Sequence, residues 1–363
     1  MSGVKAKRRK LIYNAVTFGL VIIAFIICQY MISNGQMSRS LKNQLIPICC
    51  WIVMAVSLNL VVGISGELSL GHAGFMSVGA FTGIVVSGWL LNAYEMQDTT
   101  LRLVLAMAAG GLLAGIAGVL IGIPVLRLKG DYLAIVTLAF GEIIRNVMDC
   151  VYVSVDGQGL RFGFLDNKLP GILLLNGPNG AVGVKKIATF TAGFILIMIA
   201  LIVILNLINS RSGRAIMAIR DARIAAESVG INITKYRMMA FVTSAILAGM
   251  AGALYGLNYS TLVASKFKFD QSINVLVFVV LGGIGNTLGA VIAATALTVL
   301  PEMLRDFGQY RMLVYAVVLI VIMLTTNNPA IRTFIDRLVG PVKRIFRKKD
   351  VPAVSQPGGG DAQ

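Results

Sequence analysis

The chain has 363 residues, of which 57% are apolar and 13% charged, whereas a soluble domain carries about 45–50% apolar and about 25% charged residues. With a mean hydropathy of +0.82, these figures exclude a soluble enzyme, a disordered chain and a disulfide scaffold, and leave a polytopic membrane protein. The net charge is +16, from 32 Lys and Arg against 16 Asp and Glu; taken alone this balance points to nucleic acid, but the positions of the charges decide against it.

A bilayer core about 30 Å thick needs about 20 apolar residues in a helix. Eight stretches of 20 or more residues lack Asp, Glu, Lys and Arg: 11–38, 43–66, 68–94, 103–126, 187–210, 238–265, 271–301 and 312–331. A ninth apolar segment, 130–150, is interrupted by Glu142, Arg145 and Asp149. Apolar helices dominate and alternating ten-residue strands are absent, which argues for an all-α polytopic membrane protein and against a β-barrel. The first stretch follows Lys5, Lys7, Arg8, Arg9 and Lys10, is longer than a signal-peptide core and has no small-residue cleavage site after it. It reads as a retained first helix.

Lys and Arg mark cytoplasmic loops. They cluster in residues 1–10, 210–237 and 327–350, and these three patches carry +14 of the +16. Both termini are therefore expected in the cytoplasm, which requires an even number of crossings. The run 271–301 is too long for one span and is broken by Gly282-Gly283-Ile284-Gly285-Asn286. Read as a hairpin that dips in and returns to the same side, it leaves eight full crossings; counted as two spans, it gives ten. The expected organisation is a basic N-terminus over 1–10, a single transmembrane domain over 11–331, and a tail over 332–363 that is basic and then rich in Gly and Pro. The connection 151–186 falls outside on this count and contains the turn cluster Asn176-Gly177-Pro178-Asn179-Gly180.

In chain order, the first segment with chemistry is Gly66–Phe75, which holds Glu67, Ser69, the only histidine, His72, and Gly66, Gly71 and Gly74. Irregular backbone at membrane depth is tolerated only inside protein or along a cavity. The segment reads either as a satisfied helix end or as a shaped turn on a substrate path. A lone histidine does not make a metal site. Next, Glu142, Arg145 and Asp149 are spaced i, i+3 and i+7, so they share a helix face and can pair. They read as a structural charge cluster, with a gating role as the alternative.

The loop 210–237 places Ile216, Ile219, Ala226 and Val229 near one face at helical spacing, with charged residues elsewhere. This predicts a short amphipathic helix ending at Gly230. Its apolar stripe has no evident partner in the chain, which suggests docking to a separate cytoplasmic subunit. Glycines recur as G-x-x-x-G at Gly79–Gly83, Gly111–Gly115, Gly118–Gly122, Gly252–Gly256 and Gly285–Gly289, a spacing that lets helix backbones approach closely. Cys28, Cys49, Cys50 and Cys150 fall within or at the end of apolar segments and read as buried free thiols. No Gly-Lys dipeptide occurs anywhere, so no G-x-x-x-x-G-K-[ST] phosphate loop is present.

Four segments together resemble the permease subunit of bacterial branched-chain amino acid ABC importers, the LivM type. They are Gly66–Gly79, Arg127–Arg145, Ser210–Tyr236 and Phe269–Ala290, and they match in order between about residues 43 and 325. Asn176–Gly180 resembles the family's Gly-rich outer loop. Ala225, Ala226 and Gly230 fit the E-A-A-x-x-x-G docking motif of importer permeases, with Ile224 where that motif has Glu.

The resemblance implies a second, LivH-type permease, two ABC ATPase subunits and an extracytoplasmic amino-acid-binding protein as partners, in the inner-membrane lipid, with no nucleic acid. It implies no enzyme activity and no cofactor on this chain, ATP being handled by the ATPases. It places ATPase coupling at Arg214, Ile219, Arg220, Asp221, Ala225, Ala226, Glu227 and Gly230. Helix breaks and the resemblance place the substrate path at Ser69, Gly71, His72, Gly74, Gly282, Gly283 and Gly285. The competing readings are a permease for urea or short amides, and a stand-alone ion-coupled carrier or channel using Glu67 or Glu142.

Overall fold

A computed structural model describes residues 2–35, 37–128, 130–156, 159–164 and 170–327. The tail 332–363 and most of the basic patch 327–350 lie outside the described residues. Contacts divide the chain into Met1–Arg305 and Asp306–Gln363. The first unit holds α1 (Ser2–Ser33), α2 (Arg39–Asn59), α3 (His72–Ala93), α4 (Thr99–Val125), α5 (Asp131–Cys150), α6 (Phe190–Asn209), α7 (Arg211–Asp221), α8 (Arg223–Ser228), α9 (Ile233–Gly256), α10 (Phe269–Gly282) and α11 (Thr287–Met303). The described part of the second unit includes α12 (Arg311–Asn327), which exposes Leu313, Val317, Ile320 and Val321.

Among the described residues six helices are long and apolar enough to cross a membrane: Asn14–Ser33, Ser40–Ser65, His72–Ala93, Thr99–Val125, Phe190–Asn209 and Ile233–Gly256. Four charged residues, Asp131, Glu142, Arg145 and Asp149, set α5 apart from these. Helices α10 and α11, with 14 and 17 residues, reach about 21 and about 26 Å at 1.5 Å per residue. Each is therefore shorter than the roughly 30 Å hydrocarbon core.

Helices α3, α4 and α9 form the densest packing, and small residues make it possible. A Cβ on Gly252 of α9 would overlap the Met76 carbonyl of α3, and one on Gly79 of α3 would overlap Gly249 of α9. On α4, Gly111 and Gly118 lie where a Cβ would stand 2.6 Å from Met250 Cγ and 2.8 Å from Ala245 Cβ. The G-x-x-x-G spacings on these three helices are thus spent on backbone approach, the main source of association between helices in lipid. Helix α2 runs along α9, α6, α10 and α11, and α5 packs on α3. Cys49 and Cys50 are buried, and all four cysteines are free thiols.

Helix α1 stands apart: only 11% of its span is buried. Phe25 stacks on Phe190 and Phe194 of α6, with ring centroids 5.3 and 4.0 Å away. Beside this stack an apolar cleft of about 470 Å³ separates α1 from α2, α6 and α11.

The all-α expectation needs correction between α5 and α6. Strands β1 (Val151–Asp156), β2 (Gly159–Phe164) and β3 (Ile172–Asn176) form an antiparallel sheet in the order β2-β1-β3. Tyr152 pairs with Asn176 and Val153 with Leu175, and a bulge follows at Val153/Ser154. The cause is local: Val151, Val153 and Val155 alternate with other residues, a pattern that suits a half-buried pleated surface. Val153, Val155 and Leu175 are buried, and β1 and β3 contact α3. The Asn176–Gly180 turn is a 3-10 turn closed by Asn176 N–H donating to Gly180 O at 2.8 Å. It leads into β4 (Ala181–Val182), which pairs with β5 (Thr261–Leu262) beyond α9.

The break at Gly282–Asn286 turns the chain back as a helical hairpin, with α11 packed on α10. Its turn meets the end of α2 near Gly63, and Glu302 at the other end of α11 accepts a hydrogen bond from Ser40 at the start of α2. The hairpin turn therefore lies at the end of the bundle that carries α7, and its open ends lie at the opposite end.

Candidate functional site

Helix α2 gives way to a π-helical turn over Leu60–Ser65, and Gly66 closes it at φ +75°. That left-handed conformation is accessible to glycine without the clash of a Cβ, and single π turns inside helices are frequent at functional sites. Glu67 follows and is buried. Its Oε1 lies 2.7 Å from Arg237 Nε at the start of α9, but the pair is not aligned as a hydrogen bond, and neither carboxylate oxygen accepts one. Burial pushes the Glu67 carboxyl up to about 7, against the lowering effect of Arg237 and then Arg223.

The expected path residues lie just beyond. Ser69 is buried and its hydroxyl makes no hydrogen bond. Leu70 N–H donates to Thr137 Oγ1 of α5 at 3.0 Å, and that hydroxyl donates to Ala134 O at 2.9 Å. Gly71 and Gly74 lie against Thr137 and Gly141 of α5, with no room for a Cβ on Gly71. His72 is fully buried, with Nε2 2.8 Å from Ser57 Oγ. Ser57 Oγ donates to Met54 O at 3.0 Å, and a hydroxyl has one proton, so His72 Nε2–H donates to Ser57. Ala73 N–H donates to Ser272 Oγ of α10 at 3.1 Å.

At the hairpin turn Gly283 takes φ +90°, Asn286 caps α11 by accepting from Gly289 N–H at 3.1 Å, and Gly285 N–H donates to Asn59 Oδ1 at 2.9 Å. Each group of expected path residues thus touches α2, the first through His72 and the second through Gly285, while Gly71 and Gly74 face α5 and Gly282 faces Gly289 of α11. These are closed helix contacts: the void bordered by Gly71 holds only about 10 Å³.

Glu142, Arg145 and Asp149 pair as their spacing predicts. Arg145 Nε is 2.8 Å from Glu142 Oε2, and Nη1 is 3.0 Å from Asp149 Oδ2. Glu142 Oε1 also accepts from Phe269 N–H at 3.0 Å. It therefore meets the positive end of α10, where a carboxylate is favoured, and fixes the hairpin to α5.

The loop after α6 corrects the expectation of one amphipathic helix. It forms α7 and α8, separated at Ala222 (φ −151°, ψ 84°), and Gly230 closes α8 at φ +80°. The expectation of a stripe without a partner in this chain is also corrected, because Ile216, Ile219 and Ala226 are buried within the chain itself. The exposed apolar residues are Val229 and Ile224, 76% and 82% exposed. Arg214, Asp221, Ala225, Glu227 and Gly230 are exposed as well.

Arg220 turns inward. It pairs with Asp221 at 2.8 Å, while its Nη1 donates to Gly63 O at 2.9 Å. Its side chain lies over Gly66, where a Cβ would come 2.5 Å from Arg220 Cγ. A continuous series of contacts therefore runs from α7 through Arg220 to Gly63, and from Gly63 to Gly285 at the hairpin turn.

Sequence reasoning did not single out Ser57, Asn59, Gly63, Arg237 or Ser272. Ser57 and Asn59 carried a signal as polar residues in an otherwise apolar run, and Arg237 and Ser272 mark the edges of apolar runs. Gly63 had no signal, because its role is to be small beside another backbone. Arg102 is also buried, with Nη1 donating to Met96 O at 3.3 Å; it directly precedes the charge-free run 103–126.

A bundle of apolar helices around broken, glycine-lined turns, with a polar helical loop tied to those turns at one end, defines a polytopic membrane permease. A family profile described as "Branched-chain amino acid transport system / permease component" matches residues 40–325, and the chain belongs to that family. It is 34% identical over 322 residues to the high-affinity branched-chain amino acid transport system permease protein LivM of Salmonella typhimurium, covering 84% of this chain and 72% of the relative. LivM of Escherichia coli K12 is 34% identical over 313 residues, covering 81% and 69%. The ribose import permease protein RbsC of E. coli K12 is 28% identical over 288 residues, covering 76% and 82%. No solved structure matches significantly.

Proposed function

We propose that this chain is the membrane subunit of an ATP-driven importer for leucine, isoleucine and valine in a bacterial inner membrane. The 34% identity to LivM over most of the chain carries the reading of the substrate. In this reading a second permease, two ATPases and an extracytoplasmic binding protein complete the assembly. The ATPases dock on α7–α8, and their movement reaches the hairpin turn through Arg220 and Gly63. The charged patches orient the bundle with α7–α8 in the cytoplasm, so the ends of the hairpin face outward. Co-expression with two ATPases, a second permease and a binding protein of the same importer class tests the whole. Uptake of leucine in proteoliposomes, dependent on lumenal ATP and not reproduced with ribose, is the expected result. Ion-driven leucine uptake by this chain alone would overturn the reading.

Ile224→Asp and Val229→Asp alter only exposed positions, so each should reduce co-purification of the ATPases severalfold while leaving membrane insertion intact; unchanged co-purification would remove these residues from the interface. Ala226 is less suitable for this test, since a charge there would meet the chain's own packing. A reporter fused after Pro301 should give an extracytoplasmic signal, and a cytoplasmic one would refute the proposed hairpin topology.

A further inference from the structure

A polar pocket of about 230 Å³ lies where the turn after α2, the connection between α4 and α5, and the starts of α8 and α9 meet. One water needs only about 10–15 Å³, so the space takes a small polar group together with its water. Glu67 borders it, but both carboxylate oxygens are covered and Oε1 lies 2.7 Å from Arg237 Nε. The side-chain donors left to the pocket belong to two arginines. The terminal nitrogens of Arg237 are accessible and carry no hydrogen bond. Arg223, the first residue of α8, is half-buried and makes no hydrogen bond or ion pair among the described residues. Leu68, Leu128 and Leu133 form the remaining side-chain walls. The rim is open at Gly130, where a Cβ would meet nothing within 4 Å.

Two guanidinium groups with unused donors select an oxyanion, since each fork can give paired hydrogen bonds to phosphate or carboxylate oxygens. Glu67 offsets one of the two charges, so the pocket stays net positive. The surroundings select an amphiphile over a free ion. Helix α4 ends and α5 begins beside the pocket, and their adjoining turns expose Leu120, Ile123, Tyr132 and Ile135. Aliphatic surface meets acyl chains, and a tyrosine at the helix start suits the headgroup level. Basic pockets between membrane helices on the cytoplasmic side recognise anionic headgroups in this way.

We propose that this pocket holds the phosphate of an anionic phospholipid from the leaflet on the α7–α8 side. The phosphate oxygens bridge Arg223 and the terminal nitrogens of Arg237. The glycerol portion rests on Leu68, Leu128 and Leu133, and the acyl chains leave past Gly130 towards the exposed faces of α4 and α5. The site does not depend on which solute is carried. Arg223 directly follows the Ala222 break, so the bound lipid ties α8 to α9 and to the 66–68 turn, and steadies the docking loop against the membrane.

The test uses the full chain in micelles containing equal phosphatidylglycerol and phosphatidylcholine, with retained lipids counted by native mass spectrometry. The wild type should retain phosphatidylglycerol about tenfold over phosphatidylcholine, the effect of one charge-assisted contact. Equal retention by the wild type would overturn the proposal without any variant. Arg223→Gln should remove the preference. Arg211→Gln takes a charge from an exposed residue at the same end but outside the pocket, and should keep the preference. Monodisperse elution establishes that both variants fold. A wild-type preference in Arg223→Gln would overturn the site, and an equal loss in both variants would reduce it to the general attraction of a basic surface. Inorganic phosphate and glycerol 3-phosphate offer the same phosphate without tails. Neither should displace the lipid at millimolar concentration; displacement by either would make a free anion the ligand and overturn the lipid assignment.

Discussion

Gly289→Val is expected to abolish the folded permease. Gly289 sits in the first turn of α11 and faces Gly282 at the end of α10. A Cβ there would overlap the Gly282 carbonyl oxygen and stand 2.7 Å from its carbon and 2.9 Å from Asn286 Nδ2. The obstacle is backbone on one side and the α11 cap on the other, so no rotamer change relieves it. Overpacking a core typically costs about 1–3 kcal/mol, and a clash between two backbones at the head of a hairpin belongs at or above the top of that range. The hairpin holds Gly285 on Asn59 and, through Ser272, the start of α3, so its displacement spreads to α2 and α3. Gly289→Ala should already lower the thermal transition of the purified chain, and Gly289→Val should leave no monodisperse protein. Gly19→Ala in α1, where a Cβ meets nothing within 4 Å, is the control; helix propensity makes it neutral or slightly stabilising. A Gly289→Val protein that elutes and melts like the parent would refute the close approach.

Arg220→Met is expected to separate ATP hydrolysis from transport. Methionine retains an apolar stem of similar reach over Gly66 but cannot donate to Gly63 O. A hydrogen bond from a charged donor contributes about 1.5–3 kcal/mol. If that bond is made in one access state and broken in the other, its loss shifts their balance by about tenfold to a hundredfold. Uptake should fall by a factor in that range while the complex still assembles and still hydrolyses ATP, because Ile224 and Val229 are untouched. Arg220→Lys should recover part of the loss. Equal falls in uptake and ATPase association would place Arg220 in the docking face instead of the transmission contact.

The contrast between these two residues shows what was legible in the sequence. Six of the eight expected crossings, the glycine break at 282–286 and the pairing within Glu142, Arg145 and Asp149 depend on local spacing and are readable from one strand of text, whereas α5 and α12 are not among the helices long and apolar enough to cross. Arg220 was readable as part of a polar loop, but its direction was not, since that depends on Gly63, 157 residues away in sequence. The same applies to Ile216 and Ile219: helical period predicts that they share a face, and only the neighbouring elements decide whether that face is covered. The break at Ala222 was missed because alanine is a strong helix former, so nothing local announces an interruption. The sheet after α5 gives a weak signal because its strands are five or six residues long, and the pairs that add β3 to β1 join residues about 20 apart.

Helix α1 carries one further consequence. In water, a cleft walled by leucine, isoleucine and phenylalanine would be driven shut. In a hydrocarbon solvent the same walls meet a medium as apolar as themselves, and little drives them together. The separation between α1 and the rest of the bundle is therefore close to thermally neutral, and its width is set by the stacked rings of Phe25, Phe190 and Phe194 acting as a spacer. The membrane is in this sense part of the tertiary structure: the cleft keeps its shape because the solvent has no preference about closing it.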